Sequence, residues 1–514
     1  MAVLNHKIQN YIQKNTPTLV ILTLLTISTS AMSYEYFLGA MASYLLGDGR
    51  IQWALTITAM MVSMGIGGYC SRYVVKHERM IVINELVIAF VGGFSTLILY
   101  ALNVYMGFAQ MVILGYISVN GFILGFQVPL FMHILRKAGE SFGDLVARVT
   151  LFDFLGAVPA VILYVYLMKS VGLVQGTMLM GLINVSVVIL AIKLFQTELS
   201  TRFRRVTKLL VVAIVLLLML GLVFGERAVA GLEQQLYNDR IVYQEQSVFQ
   251  HINLTKEGKD LRMFLNGNIQ FSSIDEYRYH EALVHPAMSS TANREDVLIL
   301  GGGDGLALRE VYKYPEVKKV TLVDLDPAVV ELARTHPVIS RLNQGSLDDP
   351  RVQVVNQDAY KFLEQDSGLY GVIIIDLPDP NNESLAKLYT REFYTLVRRH
   401  LAKGGAVAVQ STSPYYANEA FWAIVNTVEA AGLDVAPYHT YVPSFGEWGF
   451  TLASDTTVDS SRVKVEVSTK YLNQDMLPGM FVFPEDETET TDEVVNTLIH
   501  PVIIDLYQQA WENW

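Results

Sequence analysis

Cysteine is almost absent from this chain of 514 residues, in which Cys70 is the single example. One cysteine cannot form a disulfide, a thiolate zinc site or an iron–sulfur cluster within the chain. The ten histidines also lack the spacing that is typical of a transition-metal site. The sequence therefore argues against a resident metal centre, and Cys70 is best explained as a packing residue.

Charged residues are scarce from Leu19 to about Gly225, although the whole chain carries a net charge of −12. An apolar helix of about 20 residues is long enough to cross a bilayer. Further apolar runs follow the first at once and no small-residue cleavage site closes it, so it is not a signal peptide. The pattern predicts a multi-pass membrane protein in contact with lipid. We expect seven spans, at residues 19–41, 52–72, 80–103, 108–134, 148–168, 171–194 and 208–225.

Basic residues occupy alternate loops between the predicted spans. The positive-inside rule then places the N-terminus in the cytoplasm, and seven crossings leave the rest of the chain outside. The basic loop residues are Lys7, Lys14, Arg72, Lys76, Arg79, Arg136, Lys137, Arg148, Lys193, Arg202, Arg204, Arg205 and Lys208.

Three carboxyl residues interrupt the apolar spans. Carboxylates at membrane depth are costly and usually face a bundle interior or a water-filled path. They could form a cation or amine site between helices, with Tyr34, Tyr36 and Gln127 as partners. Alternatively, they lie near span ends or are protonated and hydrogen-bonded to neighbouring helices. The three residues are Glu35, Glu85 and Asp153.

A glycine-rich turn joins two apolar runs in the second half of the chain. The first run, 297–300, enters a turn that contains Gly301, Gly303 and Asp304, and the second run ends on Asp324. A strand, a glycine turn, a helix and a strand that ends in an acid are typical of a nucleotide-binding α/β sheet. The charge of Asp304 would repel a pyrophosphate and attract a cation. The turn therefore predicts a positively charged nucleoside as ligand rather than NAD.

Strands alternate with helices around this turn, which predicts a mostly parallel, doubly wound sheet. We expect further strands at 352–358, 371–380 and 406–414 and helices at 383–401, 418–432 and 494–514. Asn266-Gly267 predicts a two-residue β-hairpin. The predicted domains are a transmembrane domain (1–228), a small β-strand domain (229–285), a Rossmann-like domain (286–482) and an acidic linker with a C-terminal helix (483–514).

Five acids follow the ends of successive predicted strands, at the sheet edge where ligands bind in such folds. A single one could be a helix cap, as Asp324 or Asp358 could be. Five together form a cleft that is costly unless cations occupy it. A sulfonium nucleoside and a polyamine fit this cleft best. The five acids are Asp304, Asp324, Asp358, Asp376 and Asp379.

Several of these motifs resemble the spermidine synthase family of polyamine aminopropyltransferases. The similar segments are GGGDG with LRE (301–310), DLD, QDA and DLPDP, together with YQ (243–244), DEYRYHE (275–281), QSTSP (410–414) and PSFGEWGF (443–450). The resemblance covers residues 235–480, and the apolar half resembles a membrane-anchored bacterial branch. It implies a Rossmann-like fold of the S-adenosylmethionine-dependent methyltransferase type, without metal or cofactor.

The resemblance also implies a reaction. An amine, with putrescine as the expected acceptor, takes the aminopropyl group of decarboxylated S-adenosylmethionine, and methylthioadenosine is released. Asp376 would accept the proton, and Tyr279, His280 and Asp379 would bind the amine. The remaining residues would bind the donor: Gln244, Gly301, Gly303, Asp304, Asp324 and Asp358.

Two positions depart from the family pattern. Phe445 stands where a tyrosine commonly lines the amine channel, and the loop DLPDPNNES lacks the usual serines and glycines. Both changes affect the amine side of the site. The identity of the donor is therefore better specified than that of the acceptor.

Two other functions use the same features. A methyltransferase shares the sheet, but Asp304 would repel the carboxylate of S-adenosylmethionine at close range. A membrane transporter or sensor could use the soluble half only to bind polyamine. Family analogy further implies a homodimer and a cytosolic donor, which conflicts with the outside location derived from loop charges. The acidic soluble half makes nucleic acid an unlikely ligand.

Overall fold

The computed structural model describes residues 16–46, 49–106, 109–137, 142–247, 249–489 and 493–512. Lys7, Lys14, the start of the predicted span at residue 108 and residues 490–492 of the acidic stretch lie outside these ranges. The chain divides into two compact units, Met1–Asn238 and Asp239–Trp514. The predicted domain boundary after residue 228 falls inside the last long helix of the first unit.

The first unit is helical throughout its described residues. Its helices are α1 Thr16–Leu46, α2 Gly49–Cys70, α3 His77–Val91, α4 Ser95–Tyr105, α5 Ala109–Gly125, α6 Gln127–Lys137, α7 Phe142–Leu155, α8 Ala157–Leu194 and α9 Thr201–Glu233.

Four helical segments in the described residues are long and apolar enough to cross a membrane, and a fifth is added if the bent pair α3 and α4 is one span. The two helices of that pair meet at 52°. The predicted spans 148–168 and 171–194 lie in one continuous segment whose helical backbone breaks at Gly172, with φ 81°. The count of seven spans therefore stays a prediction. The four segments are Ile51–Tyr73, Gln110–Arg136, Val146–Leu194 and Thr201–Leu236.

Apolar side chains cover much of the outside of this unit. In the segment Thr201–Leu236, the most apolar stretch of 18 residues has a mean hydropathy of 2.8. Only 17% of this stretch is buried. Leu216 and Val223, for example, are 65% and 66% exposed. Such large exposed apolar surfaces mark contact with lipid or with another protein.

The second unit begins with a four-stranded antiparallel sheet in the order β1-β2-β3-β4. Asn266 and Gly267 connect β3 to β4 with φ angles of 50° and 84°, which is the geometry of a tight hairpin turn. The predicted hairpin is therefore present. The strands are β1 Arg240–Gln246, β2 His251–Glu257, β3 Asp260–Leu265 and β4 Asn268–Ser272.

A seven-stranded sheet in the order β10-β11-β9-β8-β5-β6-β7 forms the body of the second unit. Strands β7, β6, β5, β8 and β9 are parallel neighbours, whereas β11 is antiparallel to both β9 and β10. The predicted mostly parallel α/β sheet is confirmed. Its strands are β5 Asp296–Gly301, β6 Lys319–Asp324, β7 Val352–Asn356, β8 Tyr370–Asp376, β9 Leu401–Gln410, β10 Asp434–Val442 and β11 Gly446–Ser454.

Helices cover both faces of this sheet, and two buried hydrophobic clusters lie between the helices and the strands. The central strands are apolar on both faces, as parallel strands between two helix layers must be. The helices are α10 Glu276–Ser290, α11 Leu306–Val311, α12 Pro327–Thr335, α13 Pro337–Leu342, α14 Ala359–Gln365, α15 Glu383–Ala386, α16 Arg391–His400, α17 Asn418–Ala430, α18 Leu477–Met480 and α19 Ile503–Glu512.

Several predicted boundaries were wrong. The C-terminal helix begins at Ile503 rather than at 494, because Pro501 disfavours helix in the residue before it. The helix predicted at 383–401 is two helices separated by a short 3₁₀ turn. Strand β8 ends at Asp376, before Pro378, because proline cannot donate to the ladder.

Candidate active site

The glycine turn after β5 packs directly against the end of β8. Gly301 and Gly302 have positive φ angles of 86° and 65°, and the N–H of Gly302 donates to the Asp376 carbonyl at 3.1 Å. A Cβ on Gly301 would lie 1.9 Å from that carbonyl oxygen. Only glycine therefore allows the turn to approach Asp376 so closely.

Backbone N–H groups hold the carboxylate of Asp324 at the end of β6. Gly303 N donates to its Oδ2 and Asp326 N to its Oδ1, both at 2.9 Å. A Cβ on Gly303 would come within 2.5 Å of that carboxylate. Burial raises the pKa of Asp324 to about 6, against the lowering effect of these two hydrogen bonds.

Asp304 is fixed within the glycine turn. Its Oδ1 accepts a hydrogen bond from Leu306 N at 2.9 Å, and its carbonyl accepts one from Asn343 Nδ2 at 2.9 Å. Burial and the negative charge of Asp376 raise the pKa of Asp304 to about 6, while the positive charge of His280 opposes them. The turn thus presents a carboxylate for which a cationic ligand would be favourable.

Tyr279 on α10 meets Asp376 at the end of β8. Its hydroxyl donates to Asp376 Oδ1 at 2.7 Å. Burial raises the pKa of Asp376, and burial with the charges of Asp376 and Asp379 raises that of Tyr279. The structure therefore places Tyr279, which is predicted to bind the amine, against Asp376, the predicted proton acceptor. Asp379 lies close enough for its charge to affect Tyr279.

His280 belongs to a buried network of charges. Its Nδ1 lies 3.0 Å from Glu276 Oε2, and Arg309 donates two hydrogen bonds to the carboxylate of Glu276 at 2.8 and 2.9 Å. Burial lowers the pKa of His280, but the hydrogen bond and charge of Glu276 outweigh it and raise the pKa to about 9. A pKa of about 9 favours the charged form of His280 at neutral pH. Sequence reasoning missed Glu276 as the partner of His280 and Arg309 as the partner of Glu276.

Three donors hold the carboxylate of Asp379. Gln410 Nε2 donates to Oδ1 at 2.9 Å, and Tyr507 Oη and Thr412 Oγ1 donate to Oδ2 at 2.9 and 3.4 Å. Thr412 reaches this position with a φ of 60°, which is uncommon for a β-branched residue. Gln410 and Thr412 come from the QSTSP motif, whereas the sequence carried no signal for Tyr507.

Phe445 packs against Tyr279, with the two ring centroids 5.8 Å apart. The turn that carries it is anchored by Asp275, whose carboxylate accepts hydrogen bonds from the N–H and hydroxyl of Ser444 at 2.7 and 3.0 Å. The ring of Trp448 packs 5.0 Å from Phe445. An apolar wall therefore lines this side of Tyr279.

Two predicted donor residues have partners outside the cluster around Asp376. Asp358 caps α14 by accepting from Lys361 N, and its other oxygen lies 2.5 Å from Lys387 Nζ. Burial raises the pKa of Asp358, but the hydrogen bond and the positive charge of Lys387 help to lower this pKa below its usual range. Gln244 on β1 lies 3.1 Å from His251 Nε2.

The predicted carboxyl residues Glu85 and Asp153 of the helical unit have different hydrogen-bond partners. Glu85 accepts hydrogen bonds from Gln127 Nε2 at 2.8 Å and Asn184 Nδ2 at 2.9 Å, and Tyr34 contacts Asn184. Asp153 instead accepts from Ser28, at 2.6 Å. Tyr36, expected near these acids, packs against Trp53 and Tyr164, and Glu35 is half-buried.

Among the residues that the structure describes, no three His, Cys, Asp or Glu side chains are grouped so that they could hold a metal ion. The donors and acceptors around Asp376 are carboxylates, hydroxyls and one imidazolium. Such a set can bind and orient cations and accept a proton.

Comparison with known proteins identifies the family. A model of the spermine/spermidine synthase domain matches residues 276–464. The polyamine aminopropyltransferase of Oceanobacillus iheyensis is 42% identical over 498 residues, which are 95% of this chain and 96% of that protein. This chain belongs to the polyamine aminopropyltransferase family.

A second aminopropyltransferase is similar over nearly the whole chain, and a solved spermidine synthase over about half of it. Polyamine aminopropyltransferase 2 of Ralstonia nicotianae is 39% identical over 502 residues, covering 96% of this chain and 98% of that protein. The solved spermidine synthase of Thermotoga maritima is 30% identical and covers 48% of this chain and 85% of its own, with a TM-score of 0.44. The Oceanobacillus and Ralstonia relatives confirm the family resemblance and extend it to nearly the whole chain.

Aminopropyl transfer from decarboxylated S-adenosylmethionine to an amine is the reaction of this aminopropyltransferase. The donor is a substrate that is consumed in each turnover.

Proposed function

We propose that this aminopropyltransferase converts putrescine to spermidine, with Asp376 as the proton acceptor. The contact that carries the proposal is the 2.7 Å hydrogen bond from Tyr279 to Asp376, where the glycine turn meets the end of β8. Asp304 lies close enough to Asp376 for the negative charge of Asp376 to raise the pKa of Asp304. Two cationic substrates would meet between these carboxylates.

The donor would lie along the glycine turn. Asp304 would bind the ammonium of the aminopropyl group, and Asp324, whose two oxygens keep free lone pairs, would accept from the ribose hydroxyls. Gly301 and Gly303 would let the backbone approach the nucleoside. Gln244 and Asp358 are proposed as further donor contacts, and Asp358 would have to keep or exchange its bond to Lys387.

The acceptor would enter beside Tyr279 and Asp379. Asp376 would take one proton from its ammonium, and the freed nitrogen lone pair would attack the aminopropyl carbon bonded to sulfur. As the C–N bond forms, the C–S bond breaks and its electron pair stays on sulfur, which gives neutral methylthioadenosine. Burial raises the pKa of Asp376, and the positive charge of His280, which is hydrogen-bonded to Glu276, opposes this rise.

Methylthioadenosine release tests the assignment. Purified protein with the donor and putrescine is expected to release methylthioadenosine, and Asp376→Asn is expected to lose most of that activity. Equal release with Asp376→Asn would contradict the role of Asp376. Uptake of putrescine into proteoliposomes without any release would favour a transporter or sensor instead.

The helical unit is proposed to anchor the enzyme in the bacterial inner membrane as a multi-pass bundle. Its four or five apolar segments and its exposed apolar surface support this location. With a cytoplasmic N-terminus, an even number of crossings places the catalytic unit in the cytoplasm and an odd number places it outside. A reporter that fluoresces only in the cytoplasm, fused to Trp514, distinguishes the two, and a bright signal would reject seven crossings.

The remaining proposals concern organisation. We propose that residues 239–285 act as a β-strand domain in front of the Rossmann-like domain and that the catalytic units pair as a homodimer. Cross-linking in membranes tests the dimer. Glu35, Glu85 and Asp153 are proposed to contribute to a cation or amine site between the helices of the bundle. Glu85 accepts hydrogen bonds from Gln127 and Asn184 there.

A further inference from the structure

The C-terminal helix α19 contributes a side chain to the amine side of the active site. Tyr507 donates its hydroxyl to Asp379 Oδ2 at 2.9 Å, although 128 residues separate the two in the sequence. The segment that the family domain matches ends at residue 464, so Tyr507 comes from beyond it. This contact adds an acceptor-side hydroxyl from an element that the motif analysis did not associate with the site.

The helix is held firmly enough to position this hydroxyl. Ile503 and Ile504 at its start are 0% and 3% exposed and belong to the core of the catalytic unit, where the helix contacts α15 and α17. Asn496, which precedes the helix and is fully buried, donates to the carbonyls of Tyr389 and Ala386 at 2.9 and 3.3 Å. The first turn of α19 is therefore part of the core of the catalytic unit.

The hydrogen bonds of Asp379 leave room for a ligand. A carboxylate offers about four lone-pair positions, and Gln410, Thr412 and Tyr507 use three of them. Together these donors fix the plane of the carboxylate and leave an acceptor position for an ammonium. Removal of the Tyr507 hydroxyl would let the carboxylate rotate away from that orientation.

Aromatic rings continue from Tyr507 towards the turn of Phe445. The ring of Trp511 lies 6.0 Å from Tyr507 and is stacked on Tyr416 at 5.6 Å. Tyr416 in turn contacts Gly446, where a Cβ would come within 2.7 Å of its ring. Trp511 is 38% exposed, so the row of rings reaches solvent. Ring faces attract ammonium groups, and this row provides them beside a carboxylate.

We propose that Tyr507 is a specificity-determining residue for the amine acceptor, acting through the orientation of Asp379. Trp511 and Tyr416 extend the same surface for the distal ammonium of a diamine or triamine. The inference rests on the proposed role of Asp379 in amine binding. Tyr507 would supply, from another part of the chain, a hydroxyl on the acceptor side, where Phe445 stands in place of the tyrosine common in the family.

Steady-state kinetics of Tyr507→Phe in the full-length enzyme tests the proposal. We expect the KM for putrescine to rise about 3- to 10-fold, which is the typical effect of one hydrogen bond, while the KM for the donor stays within about twofold. Trp511→Leu should also raise the acceptor KM, and more for a triamine than for a diamine. A purely structural role would change both KM values and the melting temperature together.

Tyr471→Phe is the matched control. Its hydroxyl is also half-buried and hydrogen-bonded, to Thr440 at 2.6 Å, but away from Asp379. This variant should leave both KM values unchanged. An acceptor KM within twofold of wild type for Tyr507→Phe, or a parallel rise for the donor, would overturn the inference.

Asp379→Asn separates this inference from the proposed function. If Asp379→Asn raises the acceptor KM but Tyr507→Phe does not, only the inference about Tyr507 fails. If neither variant affects the acceptor KM, the assignment of Asp379 to the amine site fails as well.

Discussion

The two units of this protein provide different kinds of hydrogen-bond partner for a buried glutamate. In the helical unit, Glu85 receives hydrogen bonds from the neutral side chains of Gln127 and Asn184. In the catalytic unit, the buried Glu276 faces a guanidinium, Arg309, at 2.8 Å. The amides stabilise the carboxylate of Glu85 only through N–H dipoles, whereas the guanidinium of Arg309 stabilises that of Glu276 with a full positive charge.

A second contrast exists within the catalytic unit. Carboxylates that hold the fold together, such as Glu276 and Glu310, have cationic partners, and their pKa values are lowered despite burial. Those at the sheet edge, such as Asp304 and Asp324, have backbone N–H partners, and burial raises their pKa values to about 6. Asp304 and Asp324, which accept from backbone N–H groups, are the acids proposed to bind the ammonium and the ribose of the donor.

Asp376→Asn should have the largest effect, because it removes the proposed proton acceptor. We expect kcat for methylthioadenosine release to fall about 100- to 10,000-fold. The control is Asp366→Asn, which changes an acid bonded to Gly368 N and Tyr370 just before β8, at the opposite end of the strand. A similar loss in the control would show that the effect is not specific to the site.

Arg309→Leu should produce the largest loss of stability. It leaves the buried carboxylates of Glu276 and Glu310 without their guanidinium partner, which is expected to lower the free energy of unfolding by about 3–5 kcal/mol. Lys318→Ala breaks an exposed pair with Glu295 and should cost less than about 1 kcal/mol. Thermal unfolding in detergent measures both, and equal effects would contradict the contrast between buried and exposed pairs.

Donor affinity should depend on pH through the acids of the glycine turn. The pKa of free Asp304 is raised to about 6, so below pH 6 it is protonated and cannot bind the ammonium of the donor. The dissociation constant should therefore increase by up to about tenfold per unit as the pH falls below 6 and should level off above it. Calorimetric titration measures this dependence.

Two comparisons isolate the contribution of Asp304. Asp304→Asn should remove the part of the pH dependence that comes from the ammonium contact and leave the part that comes from Asp324. Methylthioadenosine lacks the ammonium and should respond only through Asp324, whose pKa is also raised to about 6. An unchanged pH profile in Asp304→Asn would assign the dependence to another group.

Glu85→Gln should have the smallest effect on catalysis. Its partners Gln127 and Asn184 belong to the helical unit, so kcat and both KM values of the detergent-solubilised enzyme should change by less than about twofold. A larger loss would show that the polar network of the helical unit is coupled to the reaction. Asn84→Ala, on the same helix, is the control for general damage to α3.

Local patterns in the sequence were sufficient for much of the catalytic unit. Asn266-Gly267 predicted the hairpin because both residues accept positive φ. The apolar runs before Asp304, Asp324 and Asp376 predicted parallel strands, whose carboxyl ends must meet at one edge. These features depend on chain neighbours and on a fixed strand geometry, so they could be predicted without tertiary contacts.

The partners of each acid could not be predicted in this way. Asp358 has the same position after a strand as Asp324, yet Lys387 approaches it from 29 residues away. The break at Gly172 and the bend between α3 and α4 also depend on packing between helices, which hydropathy does not encode. The predicted span count rested on hydropathy alone.

By itself, the sequence determined the α/β sheet, the glycine turn, the negative charge of the cleft and the family. Periodicity, turn propensity and the residue types at strand ends carry that information locally. Only the tertiary structure decided which acids receive a cationic or a hydroxyl partner, since Lys387, Arg309 and Tyr507 reach Asp358, Glu276 and Asp379 across long stretches of chain. The reason is physical: the protonation and orientation of a buried carboxylate depend on the atoms within a few ångströms of it, and folding alone brings those atoms together.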